Sequence, residues 1–171
     1  MSRLFLAVRP DDATFVALEA LDRDPAPGVR WVPPEQWHIT LRFWADVDPA
    51  AVIEAIDAGV SDDDGRLFTA PTITLGPVVS RMGPSTVVLP AHGADQLARA
   101  VRELTVEIPP RESQPFQGHL TLARLRRRAA CGVAGERLSA TFIPSDLELV
   151  ESELGPNGAR HRVLASWPLG T

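Results

Sequence analysis

Two segments of the chain share one form, His-apolar-Thr-Leu: His38-Ile39-Thr40-Leu41 and His119-Leu120-Thr121-Leu122, beginning 81 residues apart. Each sits in a strand-like stretch, Trp37 to Trp44 and Phe116 to Leu125. In a strand, residues i and i+2 point the same way. Each His therefore shares a face with its Thr, while the apolar residue and the Leu enter a core. A fold carrying both copies has to present two imidazoles and two hydroxyls on strand faces anchored from behind. If the halves are related by duplication, the copies face each other across a pseudo-two-fold cleft.

Such a cleft has a definite chemistry. One neutral imidazole takes a proton from an attacking water or hydroxyl, while a protonated one gives a proton to a leaving oxygen. An ordinary histidine pKa of about 6.5 makes both states accessible near neutrality. Threonine hydroxyls donate to the non-bridging oxygens of a phosphate held between the imidazoles. This describes metal-free, in-line transfer at a phosphodiester. A lone strand histidine is more often structural, but two copies in matching contexts argue against that reading. Two histidines also make an incomplete metal shell, and no carboxylate shares their faces within the motifs, so no metal is expected. Histidine-triad nucleotide hydrolases need alternating histidines, which are missing here.

Composition narrows the function further. The chain has 171 residues, 44% hydrophobic and 23% charged, which suits one packed domain over 1–171. All 17 basic residues are arginine, so Schiff-base, Walker-type and lysyl-nucleotide chemistries are excluded. Arginine suits phosphate, because its planar fork pairs with anionic oxygens. A net charge of −5 argues against a general nucleic-acid coat and for local contact, such as with a chain end. Cys131, the lone cysteine, forms no intrachain disulfide and reads as a small apolar filler in a reducing cytoplasm. The run Leu4–Val8 is too short for a signal segment, no membrane span follows, and a cytoplasmic location is expected.

Patterning predicts an α+β fold with antiparallel sheets lining the cleft and helices outside. Leu4–Val8 reads as a buried strand; Asp11 and Asp12 cap a helix with Phe15, Val16, Leu18 and Leu21 on its apolar side. Residues 22–28 read as a loop, and Asp48-Pro49 opens a second helix carrying Val52, Ile53, Ile56 and Val60. Asp62-Asp63-Asp64-Gly65 reads as a solvated turn. Strands over Phe68–Val79 and Thr86–Leu89 flank a connection at Arg81-Met82-Gly83-Pro84, and a third helix runs from Gly93 to Ile108. A short helix is expected within Arg126–Leu138, and strands at Leu147–Leu154 and Arg162–Trp167 surround Gly155-Pro156-Asn157-Gly158.

The paired motifs resemble those of the two-histidine (2H) phosphoesterases, and within them the bacterial and archaeal RNA 2′,3′-cyclic phosphodiesterases, historically called 2′-5′ RNA ligases. Arg3-Leu4-Phe5-Leu6-Ala7-Val8, Arg30-Trp31-Val32-Pro33-Pro34-Glu35 and Phe116 to Arg124 are similar to corresponding family segments. Gly118 stands where the family usually has Pro, Trp37 where an aliphatic is common, and Trp44-Ala45 where Leu-Gly is usual. These departures touch loop rigidity and cleft lining. The resemblance implies two similar lobes around a groove, and hydrolysis of a 2′,3′-cyclic phosphate at an RNA 3′ end to a 2′-phosphomonoester. It implies no cofactor, metal or ATP. It further implies that His38 protonates the leaving 3′ oxygen, His119 activates water, and Thr40, Thr121 and Arg124 hold the phosphate. Near-symmetry in the sequence leaves the two histidine roles interchangeable. Without lysine, any 2′-5′ joining is this hydrolysis run backwards, with an RNA 5′-hydroxyl in place of water. The partner expected is an RNA end or nucleotide, with no membrane, and the chain is expected to be a monomer.

Phe43 and Arg124 each lie five residues past a motif histidine. Together they would sandwich a nucleobase, or Arg124 would reach the phosphate. Strict alternation puts both on the face away from the histidines, so this arrangement requires a bulge; the plainer reading of Phe43 is core. Arg126-Arg127-Arg128 reads as a solvated face, and His92 and His161 as surface residues. Trp31, Trp37 and Trp44 either line the groove or pack the lobe. Two alternatives stay open: the same chemistry on a small cyclic phosphate such as ADP-ribose cyclic phosphate, and a non-catalytic nucleotide- or RNA-end-binding module.

Overall fold

An apolar run without polar interruption belongs to a strand covered on both faces, and the first strand, β1 (Ser2–Val8), is buried from Leu4 onward. The computed structural model describes residues 2–59, 68–126 and 129–170. The chain continues through α1 (Asp12–Glu19), β2 (Val29–Trp31), a 3₁₀ turn at Pro34–Gln36, β3 (Ile39–Val47) and α2 (Pro49–Asp57). Then follow β4 (Ile73–Leu75), β5 (Ser80–Met82), β6 (Thr86–His92), α3 (Asp95–Leu104) and β7 (His119–Leu125). The last strands are β8 (Ala140–Phe142), β9 (Asp146–Gly155) and β10 (Gly158–Pro168).

The fold is α+β. Its strands form one curled antiparallel sheet in the order β10-β9-β1-β3-β7-β6-β4-β8, with β2 also pairing β7 and β5 pairing β6. The two motif strands are neighbours at its middle, joined where Ile39 pairs Leu120. The main core, including Leu41, Trp44, Leu122, Leu125 and the apolar faces of the helices, lies behind them. A small separate cluster of Phe5, Ala7 and Val150 lies apart from it.

Helix starts follow their caps. Asp11 accepts a hydrogen bond from the Thr14 amide at 2.8 Å, and Asp48 from the Ala50 amide at 3.0 Å. Behind β3, Arg42 is 2% exposed. Its Nη1 donates to the Thr105 carbonyl and hydroxyl at 2.7 and 2.6 Å, and Nη2 to the Ile108 carbonyl at 2.6 Å. A cation at the carbonyl end of α3 satisfies groups the helix leaves unpaired, which pins the helix to the motif strand.

Several expectations change. The stretch expected as one strand over Phe68–Val79 is a strand only at Ile73–Leu75, because Pro71 and Pro77 cannot donate to a ladder. The strands expected from Trp37 and from Phe116 begin at Ile39 and His119. Arg81 and Met82 belong to β5, leaving the turn to the residues after them. The third helix spans ten residues, not the sixteen from Gly93 to Ile108. Val16, expected on the apolar side of the first helix, is 67% exposed. Among the described residues of 126–138 there are turns and no helix. Val60, the Asp62–Gly65 turn and Arg127-Arg128 lie outside the described residues.

Candidate active site

The two motif histidines are held alike. His38 leaves the 3₁₀ turn with Nδ1 2.6 Å from the Gln36 carbonyl, and His119 opens β7 with Nδ1 2.8 Å from the Gln117 carbonyl. In each case the carbonyl two residues back takes the Nδ1 proton, so the neutral tautomer turns a bare Nε2 to the cleft. His38 Nε2 lies 3.0 Å from Thr40 Oγ1. Because Ile39 pairs Leu120 antiparallel, continuing that register sets His38 level with Thr121 and His119 level with Thr40. The quartet is thus diagonal about the point where the motif strands meet.

Both strands bulge at the same place. Against β1, Leu6 pairs Arg42 while Ala7 pairs Thr40, leaving Leu41 extra. Against β6, Val87 pairs Ala123 while Val88 pairs Thr121, leaving Leu122 extra. Each extra residue is the motif leucine, and each resets the alternation by one. Leu41 with Arg42, and Leu122 with Ala123, turn consecutively inward, so Phe43 and Arg124 emerge on the same face as the histidines. Strict alternation puts these two residues on the far face; the bulges bring both into the cleft. Phe43 is 38% exposed, not core, and one face of its ring carries the Arg3 guanidinium, 4.7 Å from the ring centre. Arg124 donates to the Thr86 hydroxyl at 3.1 Å.

The cleft encloses about 400 Å³ and holds His38, Thr40, Phe43, His119, Thr121 and Arg124 together. In a chain with 22 acidic residues, none of the residues lining this cleft is Asp or Glu. Arg3, Arg30 and Arg124 line it instead. A groove of about 510 Å³ beside α3 is a weaker candidate, because its buried Arg42 and its Arg102 are already bonded to backbone carbonyls.

A third histidine completes the site. His161 of β10 meets the His38 ring edge-on at 5.5 Å, and Phe5 stacks on His38 at 4.5 Å. Its expected place on the surface is corrected: the curl of the sheet carries β10 over the cleft. Burial, with His161, Arg9 and His119 adding positive charge nearby, pushes the His38 pKa down to about 4, against a smaller upward pull from the Gln36 carbonyl. His161 is lowered too, by burial and then by Arg9. Arg9 itself is tied to Glu148 at 2.7 Å and to the Glu35 carbonyl at 2.7 Å. Nothing in the local sequence around His161 marks it, since its partner ring lies 123 positions away.

The remaining candidates separate cleanly. Trp31 lines the cleft, whereas Trp37 and Trp44 are buried core at 1% and 0% exposure. His92 is exposed at the end of β6, and Cys131 is buried. Gly118 packs so close to β6 that a Cβ there would run into the Ala91 carbonyl. Among the described residues no three His, Cys, Asp or Glu side chains converge as a metal site, and no helix is long and apolar enough to cross a membrane.

Residues 9–65 match the model of the LigT-like phosphoesterase family. No curated protein matches the chain significantly. Among solved structures, the chain is similar to TT0787 of Thermus thermophilus, at 27% identity, covering 98% of this chain and 97% of that one with a TM-score of 0.77. Escherichia coli LigT complexed with 3′-AMP shares the fold at 24% identity, covering 99% of each chain with a TM-score of 0.73. The MHV ns2 PDE domain shares it at 17% identity, covering 88% of this chain and 99% of that one with a TM-score of 0.57.

Proposed function

We propose that the chain is a LigT-like phosphoesterase of the two-histidine superfamily, and that it hydrolyses the 2′,3′-cyclic phosphate at an RNA 3′ end to a 2′-phosphomonoester. The observation that carries this reading is the matched pair of imidazoles, each fixed through Nδ1 and each presenting Nε2 to one carboxylate-free cleft. His119 Nε2 accepts a proton from water as the water oxygen bonds to phosphorus. His38 Nε2 gives a proton to the 3′ oxygen as the P–O3′ bond breaks. Thr40, Thr121 and Arg124 neutralise the non-bridging oxygens, and Phe43 offers its free face to the base. A structure of Escherichia coli LigT complexed with 3′-AMP supports a nucleotide ligand for a cleft of this fold.

His38 on its own is neutral at pH 7. An anionic diester brought against its Nε2 favours the charged form, so the donor acquires its proton as substrate binds. The direct test is turnover of a cyclic-phosphate RNA with product analysis. The expected product carries a 2′-phosphate, and a 3′-phosphate product overturns the leaving-group assignment. His38→Ala and His119→Ala should each lower kcat by ~10²–10⁴-fold. Near wild-type rates in either variant overturn the mechanism.

A further inference from the structure

The row of residues just beyond the histidines holds an arrangement that sheet stability does not favour. Arg30 of β2 pairs directly with Arg124 of β7, so two guanidiniums stand side by side on adjacent strands. Like charges placed opposite each other in a sheet are destabilising. Neither pairs with a carboxylate among the described residues, and none lines the cleft around them. Arg30 also leans across the cleft mouth: a Cβ built on Gly158, in the β9–β10 turn, would lie 3.2 Å from its Nη1. Burial and the charges of Arg30 and Arg3 depress the Arg124 pKa, which reports the same crowding. A cationic pair left without an internal anion suits an external one, and arginine forks bind phosphate oxygens in pairs.

We propose that Arg30, beside Arg124, forms a second phosphate subsite for a group on the 5′ side of the ribose that carries the cyclic phosphate. This rests on the cyclic-phosphate reading above and names its substrate class: molecules bearing two phosphate centres, one reacting between the histidines within reach of Arg124 and one anchored at Arg30. Arg124 lies five residues along β7 from His119, and its Nη1 is held across the strand pair by the Thr86 hydroxyl at 3.1 Å. The second phosphate has two chemical sources. One is the phosphodiester linking the last nucleotide of an RNA to its neighbour; the other is a pyrophosphate, as in ADP-ribose cyclic phosphate.

The test compares kcat/KM on three substrates: a nucleoside 2′,3′-cyclic phosphate, a dinucleotide ending in a 2′,3′-cyclic phosphate, and ADP-ribose cyclic phosphate. Wild type should favour one or both two-phosphate substrates over the nucleoside. Arg30→Gln should cut that discrimination ratio about tenfold and flatten the salt dependence by about one ion, as for a lost phosphate contact. Arg30→Lys, which keeps the charge but not the fork, should restore the salt slope and only part of the ratio. Preference for the dinucleotide identifies the RNA source, and preference for the pyrophosphate identifies the other. If wild type turns over the nucleoside cyclic phosphate equally well, or Arg30→Gln leaves the ratio unchanged, the subsite is overturned while the cyclic-phosphate reading stands. If wild type turns over none of the three, that reading falls and the subsite falls with it.

Discussion

Replacing His38 by Gln should make the protein less sensitive to acid. In the folded chain the His38 pKa is pushed down to about 4, first by burial and then by nearby positive charge, while an unfolded histidine titrates at about 6.5. A base with a lowered folded value leaves stability untouched above the unfolded value. As pH falls through 6.5 the unfolded state binds the proton first, and the penalty on the folded state is complete below about 4. Working the linkage between pH 7.5 and pH 5 gives a loss of about 2 kcal/mol from this one imidazole. Urea unfolding followed by tryptophan fluorescence at the two pH values measures it. Wild type should lose about 2 kcal/mol more than His38→Gln over this range. His161 and the carboxylates titrate in both proteins and cancel in the difference. Parallel losses agreeing within about 0.5 kcal/mol would refute the burial argument.

His161→Phe keeps an aromatic edge against His38 but removes a positive neighbour, so the His38 midpoint should rise, read from its Cε1 proton by NMR; an unmoved midpoint means the rings are not coupled. Arg42→Met strands the carbonyls of Thr105 and Ile108 and should cost about 3 kcal/mol in urea unfolding, with faster hydrogen exchange in the last turn of α3. Gly118→Ala drives a Cβ into the Ala91 carbonyl and should lower stability by ~1–3 kcal/mol, seen as a drop in Tm. Thr121→Ala should slow turnover less than His119→Ala does, since on the proposed mechanism it removes one donor to the phosphate and not a proton transfer.

Much of this architecture was legible from residue order because it depends on local rules. Asp11 and Asp48 cap their helices through the side-chain bonds their positions suggest. The Gly155–Gly158 segment turns β9 into β10, with Gly158 at φ +112. The i, i+2 spacing of each His and Thr puts them on one face. The unread features are non-local. No glycine or proline marks the bulges at Leu41 and Leu122, which show only in the pairing with the partner strands β1 and β6. Hence a strict period of two misplaces Phe43 and Arg124. His161 joins the site only because the sheet curls. Short pieces such as β2 and β8 exist by pairing with β7 and β4 and carry too few residues to show a period.

The twin bulges have one more consequence. They deliver equivalent positions of two matching strands to the cleft, but the side chains delivered are unlike: an aromatic ring from one strand and a guanidinium from the other. Within the motifs the site approximates a half-turn, with imidazole answering imidazole and hydroxyl answering hydroxyl, although Phe5 and His161 pack on His38 alone. Phe43 and Arg124 break the equivalence and give the groove a compass. A ligand flat and apolar at one end and anionic at the other gains contacts in one orientation and loses them when reversed. On the proposed mechanism, such an orientation would present only one of the two oxygens flanking the phosphorus to a given histidine. Regiochemistry in such a site follows from which way round the guest lies, decided several residues away from the atoms that exchange protons.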